Sequence, residues 1–173
     1  MGWFRKTPPT DPLPVTMAGV KMGDRLLAIG GADSALIAAV ASKTGLTGET
    51  HVVEADEERA RRTAAAIERH GALADVAAAP WSMLPYDSGH FDVAIAIQID
   101  AAVPAEMLPR CAGEVLRVLR PGGRFMMMQP RGRLARGSGD EMTGLLHAAG
   151  FAAVRVVAER DGMTYVEGIK RGA

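Results

Sequence analysis

Short apolar runs alternate with longer helical stretches along almost the whole chain after residue 23. Apolar runs bounded by glycine, proline or acidic residues are typical of buried strands, and the longer stretches between them predict helices. The predicted strands cover residues 25–29, 50–53, 73–79, 91–99, 124–129, 154–158 and 163–169. The predicted helices run from residue 33 or 34 to 43, from 56 to 70, from 104 to 120 and from 140 to 150. The predicted N-caps are Asp33 or Ser34, Asp56 and Asp140.

This order of elements predicts the fold class. Strands that are joined through helices form parallel sheets with right-handed crossovers. The turn at Asp161 and Gly162 makes the last two strands an antiparallel hairpin. We expect an α/β fold with a doubly wound, mostly parallel seven-stranded sheet, helices on both faces and a C-terminal antiparallel hairpin. Residues 1–16, rich in proline, predict an irregular N-terminal arm before a single domain over residues 17–173.

Composition narrows the possible functions. Twenty basic and twenty acidic side chains cancel, so the formal net charge is zero and a nucleic-acid partner is not expected. Cys111 is the sole cysteine, which excludes an intrachain disulfide and a CxxC metal site. The histidines are scattered without the spacing of metal ligands, so no metal site is predicted; they are His51, His70, His90 and His147.

The same properties bear on location and assembly. No apolar run reaches the roughly 20 residues of a membrane helix. The N-terminus is too short and too rich in proline for a signal peptide, so a cytoplasmic protein without a membrane partner is expected. A net charge of zero gives little protection against self-association, which makes a homodimer or a partner protein an expectation.

Two sequence features point to a nucleoside site. The segment GDRLLAIGGADS at residues 23–34 places a glycine turn directly after the first predicted strand. Glycine lets the backbone turn tightly there and approach a ligand without a side chain in the way. Glu54 ends the second predicted strand, where two carboxylate oxygens face the vicinal hydroxyls of a ribose. Taken alone, the glycine segment also fits an ordinary strand-to-helix turn, and Glu54 also fits a solvated carboxylate near a helix start.

These segments resemble the class I S-adenosylmethionine-dependent methyltransferase family, in its small type 11 or UbiE-like form. Gly30 matches the first glycine of the family's first motif, whereas Ala28, Ala32 and Ser34 replace an acidic residue and two glycines. Further matches are LPYDSGHFD at 84–92, EVLRVLRPGGRFMMMQ at 114–129 and AAGF at 148–151. The resemblance covers residues 17–170. It implies a Rossmann-like methyltransferase fold, with S-adenosylmethionine or S-adenosylhomocysteine as the cofactor.

The resemblance also implies site residues. The cofactor-binding residues are Gly30, Gly31, Ala32, Glu54, Ala55, Trp81 and Gln98. Trp81 follows Pro80, which stands where the family has an adenine-contacting aspartate. Trp81 either stacks on the adenine or packs on the protein surface. Asp100, just beyond the fourth predicted strand, is a candidate to take a proton from the acceptor, and alternatively caps the next turn.

Three functions stay open on this evidence. The first is methyl transfer from S-adenosylmethionine to a small or medium-sized acceptor. The second is a non-catalytic, methyltransferase-like scaffold that has lost cofactor binding and acts as a partner or regulatory subunit. The departures from the first motif and Pro80 favour it. The third is a nicotinamide-dependent oxidoreductase, which the poor glycine fingerprint and the terminal hairpin disfavour. The basic loop from Arg131 to Arg136 is either solvated or holds an anionic acceptor.

Overall fold

The helices and strands come from a computed structural model that describes residues 11–131 and 138–172. The strands are β1 (Arg25–Ile29), β2 (Glu49–Glu54), β3 (Asp75–Ala78), β4 (Phe91–Ile97), β5 (Leu119–Pro130), β6 (Ala152–Arg160) and β7 (Met163–Ile169). The helices are α1 (Leu13–Ala18), α2 (Ser34–Ala41), α3 (Glu57–Arg69), α4 (Ile99–Ala102), α5 (Leu108–Val118) and α6 (Gly139–Ala149), with a 3-10 turn at Ala105–Met107.

The seven strands form one sheet in the order β3-β2-β1-β4-β5-β7-β6. The first five in this order run parallel, and β7 runs antiparallel to both of its neighbours. The predicted fold class is confirmed.

The strand order reverses between β1 and β4, and in doubly wound sheets ligands bind at the carboxyl ends of the strands on either side of that point.

Alternate side chains of the sheet build two cores. Leu26, Ala28 and Val52 face one layer, which includes buried residues of α1, α2 and α3. Leu27 and Ile29 face the other layer, which includes buried residues of α5 and α6. Strands buried on both faces read as continuous apolar runs, which is why these runs were visible in the sequence. None of the helices in the two described stretches is long and apolar enough to cross a bilayer.

Side-chain caps begin three of the six α-helices in the described residues. Asp33 accepts the Leu36 N–H at 2.9 Å at the start of α2, and Asp56 accepts the Arg59 N–H at 2.8 Å at the start of α3. Both caps agree with the sequence prediction. The predicted cap of α6 is wrong. Ser138 caps this helix, and Asp140 lies in its first turn, where a carboxylate interacts favourably with the helix dipole.

Two other expectations need correction. The irregular arm does not extend to residue 16, because α1 begins at Leu13 and buries Val15 and Ala18. The Pro121-Gly122-Gly123 segment was expected to separate a helix from a strand, yet it lies inside β5. The pairing of β4 with β5 shifts register there, and Gly122 has a φ of 74°, in the left-handed region that favours glycine.

A charged network joins α5 to the segment before β4. The Arg117 guanidinium donates to both carboxylate oxygens of Glu114 at 2.8 Å and to the carbonyls of Leu84 and Tyr86 at 3.0 and 2.8 Å. Glu114 also accepts the Leu84 N–H at 2.8 Å. The hydrogen bond from Arg117 lowers the pKa of Glu114 below its ordinary value of 4.5, against the opposing effect of burial.

We expect the Glu114→Gln variant to be less stable at pH 7 by about 1 kcal/mol, because a charge-assisted hydrogen bond is roughly twice as strong as a neutral one. Folding lowers the pKa of Glu114, so its contribution is complete above the unfolded-state pKa and disappears as the pH falls through the folded-state value. Urea unfolding at several pH values should therefore show the two chains converging below about pH 5. Glu68→Gln, an exposed change on α3, is the control and should stay within about 0.5 kcal/mol. A difference that is constant with pH would contradict this prediction.

Candidate active site

The turn after β1 brings backbone donors to the carboxyl edge of the sheet. Gly30 has a φ of 73° and donates its N–H to the Val53 carbonyl at 2.9 Å. Gly31 donates its N–H to Glu54 Oε1 at 2.8 Å. The loop is therefore tied to the end of β2 by two hydrogen bonds, and the left-handed backbone at Gly30 explains the need for glycine.

Glu54 is a buried carboxylate, with 4% of its surface exposed. Its Oε1 accepts the Thr63 hydroxyl at 2.6 Å as well as the Gly31 N–H. Within the described residues its second oxygen, Oε2, accepts no hydrogen bond. One oxygen thus fixes the carboxylate among β1, β2 and α3, and the other keeps its acceptor capacity.

A small cavity of about 210 Å³ lies above this carboxylate. It is lined by Gly31, Ala32, Glu54, Arg59, Arg62, Thr63, Ala101 and Ala102. Ligand pockets usually measure about 300–1,000 Å³, so this space suits a part of a nucleoside cofactor and not all of it.

The helix α4 forms one wall of the small cavity. β4 ends at Ile97 and not at residue 99 as predicted, because Gln98 adopts a left-handed conformation with φ 52° and ψ 56°. The chain then turns into α4, and Ala102 packs against the glycine turn. A Cβ placed on Gly30 would lie 2.4 Å from the Ala102 Cβ. Gly30 is therefore needed for helix packing as well as for its backbone angle.

A larger cavity of about 480 Å³ opens on the other side of α4. Its apolar walls are Ile99, Ala105, Leu108, Pro109, Met127, Met142 and Leu145, and its polar groups are Asp100, Glu106, Gln129 and Glu141. Gln129 is 4% exposed and donates to Asp100 Oδ1 at 2.5 Å. Its Oε1 is buried and finds no hydrogen-bond partner among the described residues. A donor group on a bound molecule would satisfy that oxygen.

The structure brings most of the predicted cofactor residues together. Gly31, Ala32 and Glu54 line the small cavity, and Gly30 lies directly before them. Ala55 follows Glu54 and is exposed. Gln98 directly precedes α4 and lines neither of the two cavities.

Two further candidates lie elsewhere. Trp81 is 5% exposed and belongs to the core cluster that also includes Leu84 and Phe91, so it neither packs on the surface nor lines the small cavity. Asp100 lies on the rim of the larger cavity.

Cys111 is fully buried, and burial raises the pKa of its thiol to about 12, which rules out a thiolate nucleophile at neutral pH.

Thr63 and Gln129 were missed in the sequence. Thr63 occupies the buried stripe of α3 between Ala60 and Ile67, and a polar residue in an otherwise apolar stripe is a usable signal. Gln129 follows the apolar run of β5, where a buried polar side chain at the carboxyl end of a strand is a similar signal.

Comparisons with known proteins identify the family. Residues 26–123, more than half of the chain, match a family model described as a methyltransferase domain. The chain belongs to the class I S-adenosylmethionine-dependent methyltransferase family. The matched region includes the glycine turn, Glu54 and Asp100, and ends before Gln129.

One relative of this methyltransferase domain is the ubiquinone/menaquinone biosynthesis C-methyltransferase UbiE of Cupriavidus necator. It is 28% identical over 122 residues, which cover 66% of this chain and 46% of UbiE. The chain thus spans about half the length of the curated relatives it matches.

Solved structures agree on the fold. A SAM-dependent methyltransferase from Aquifex aeolicus aligns with a TM-score of 0.74 at 18% identity, covering 90% of this chain and 87% of that one. The cyclase SpnF aligns with a TM-score of 0.71 at 18% identity, covering 93% and 80%. A methyltransferase and a cyclase share this fold, so the reaction must be argued from the site.

We expect Gly31→Ala to lower the stability of the domain. The added Cβ would lie 2.4 Å from Thr63 Cγ2 and 2.6 Å from Glu54 Oε1, which forces the hydrogen-bonded group apart. Overpacking of this kind costs about 1–3 kcal/mol, or about 2–12 °C in Tm for a domain of this size. Thermal unfolding measures the change. Gly144→Ala in α6 meets open space and is the control, expected to hold or raise Tm. An unchanged Tm for Gly31→Ala would show that the loop is not held as described.

Proposed function

We propose that this chain binds S-adenosylmethionine and transfers its methyl group to a small or medium-sized acceptor. The observation that carries the proposal is the buried Glu54 carboxylate, held by Gly31 and Thr63 with one oxygen left to accept. It lies at the end of β2, where a carboxylate binds the vicinal hydroxyls of a ribose. Family membership supports the same cofactor.

The residues fit one end of the cofactor better than the other. Glu54, Gly31 and Ala32 suit the ribose. The amino-acid end of the cofactor has no acidic partner, because the buried Ala28 stands where the family has an acidic residue. Ala102 also occupies the space next to Gly30 that this end of the cofactor would need. We infer that α4 moves away from the glycine turn when the whole cofactor binds.

When bound, S-adenosylmethionine would supply the methyl group of its sulfonium to an oxygen, nitrogen, sulfur or carbon nucleophile of the acceptor, with S-adenosylhomocysteine as the leaving group. The protein's task is then to position the acceptor and exclude water. The larger cavity suits an apolar acceptor, with walls such as Leu108, Met127 and Met142. The unpaired Gln129 Oε1 would accept a hydrogen bond from an amine, or from a hydroxyl other than the one that reacts. Asp100, oriented by Gln129, would receive the proton.

The non-catalytic scaffold predicts that no cofactor binds, and nothing in the comparisons favours it. A homodimer, a partner protein and a cytoplasmic location stay predictions.

We expect S-adenosylmethionine and S-adenosylhomocysteine to raise the Tm of the natural chain by about 5–10 °C at a hundred times their dissociation constants, which corresponds to about 2.7 kcal/mol. Glu54→Gln should weaken S-adenosylhomocysteine binding in calorimetry by roughly 10–150-fold, equivalent to about 1.5–3 kcal/mol for a hydrogen bond to a charged group.

Two controls accompany this measurement. NAD should give no shift, and Glu57→Gln on the exposed start of α3 should bind as the natural chain does. The unliganded Tm of each variant establishes that it is folded. No shift at millimolar concentrations of either adenosyl ligand would overturn the proposal and favour the non-catalytic scaffold.

We expect Asp100→Asn to lower kcat by about 10²–10⁴-fold, the usual contribution of a general base, while cofactor affinity stays unchanged. The assay is release of S-adenosylhomocysteine with an acceptor found among apolar hydroxyl and amine compounds. Glu106→Gln, on the wall of the same cavity, is the matched control and should keep most of the activity. If Asp100→Asn turns over at the natural rate, Asp100 only holds Gln129 in place.

A further inference from the structure

A cluster of possible metal ligands lies at the amino-terminal edge of the sheet, opposite the two cavities. Glu49 is the first residue of β2, and His51 follows two positions later on the same face of that strand. His90 directly precedes β4. β1 separates β2 from β4 in the sheet, so these residues meet only in the folded chain. Their sequence spacing therefore predicted no metal site.

Two of the distances within this cluster match those around a tetrahedral metal ion. The Nε2 atoms of His51 and His90 each lie 3.4 Å from Glu49 Oε2. The three ligand atoms all lie within 4.8 Å of one another. Ligands about 2.1 Å from Zn²⁺ in tetrahedral geometry lie about 3.4 Å apart.

The histidine rings are held in place before any ion binds. Phe91 contacts both rings edge to face, with centroids 5.5 Å from His51 and 4.8 Å from His90. Tyr86 packs against His51 at 5.3 Å. The second ring nitrogen of His51, Nδ1, lies 4.0 Å from Asp75 Oδ2, too far for a hydrogen bond, so the contacts with Tyr86 and Phe91 hold this ring. Little side-chain freedom remains to be lost when a metal binds.

The donor set selects the class of ion. Two imidazoles and one carboxylate suit Zn²⁺ and its divalent neighbours, whereas Mg²⁺ and Ca²⁺ prefer oxygen ligands alone. Glu49 and His90 are partly exposed, with 51% and 32% of their side-chain surfaces accessible, so an ion can enter and keep a water as its fourth ligand.

We propose that Glu49, His51 and His90 bind one Zn²⁺ ion as a structural clip. The ion would tie the start of β2 to the segment that enters β4. The clip lies at the edge of the sheet away from Glu54 and Asp100, so its effect is on stability and needs no cofactor.

The test uses the full chain without an affinity tag, stripped of metal, and titrates it with Zn²⁺ and Co²⁺. We expect one Zn²⁺ per chain and visible absorption bands of tetrahedral Co²⁺. Zn²⁺ at a hundred times its dissociation constant should raise Tm by about 5–10 °C. Glu49→Gln and His90→Gln should each weaken Zn²⁺ binding at least tenfold and remove the Co²⁺ bands.

His147→Gln, an exposed histidine on α6, is the matched control and should bind Zn²⁺ as the natural chain does. Glu49 and His90 are partly exposed, so Glu49→Gln and His90→Gln are expected to fold. The Tm of each variant without metal shows whether it is folded. Absence of saturable binding up to millimolar Zn²⁺, or equal binding by Glu49→Gln and His90→Gln, would overturn the proposal. The cluster would then be a hydrogen-bonded group of a carboxylate and two imidazoles.

Discussion

A buried carboxylate imposes the central constraint on this molecule. An ionised carboxyl group removed from water costs several kcal/mol unless hydrogen bonds replace its hydration. Glu54 meets part of this requirement at Oε1, through the Gly31 N–H and the Thr63 hydroxyl, each from a different segment, while Oε2 is left for a ligand in the small cavity. The glycine turn, the end of β2 and the inner face of α3 are therefore fixed against one another. Gly31 has to be glycine because any Cβ would collide with the two partners of its own hydrogen-bonded group.

The wall between the two cavities is the second determinant of the site. α4 is only four residues long and directly follows Gln98, whose left-handed backbone is unfavourable for a residue other than glycine. Ala102 faces the small cavity and Asp100 the larger one, so any displacement of α4 changes both. Binding of the cofactor and of the acceptor would thus be coupled through one short helix.

Most of the fold could be predicted because its signals are local. The caps at Asp33 and Asp56, the strand-helix alternation and the hairpin turn all depend on neighbouring residues. Half of the candidate site followed in the same way, from the glycine turn and Glu54. The rest depends on contacts between distant segments. Trp81 looked like a ligand-stacking or surface residue, yet the core encloses it, and only the folded sheet brings His90 to β2.

A parallel sheet gives its two edges different roles. All five parallel strands end at one edge, so buried polar groups such as Glu54 and Gln129 gather there beside the cavities. The opposite edge holds tight side-chain ties, such as Asp92, which accepts the Arg25 N–H at 2.9 Å and the Arg120 guanidinium at 2.5 Å. A metal clip at this second edge strengthens ties that already exist. It would therefore stabilise the sheet without altering the carboxyl edge, where we infer that α4 moves.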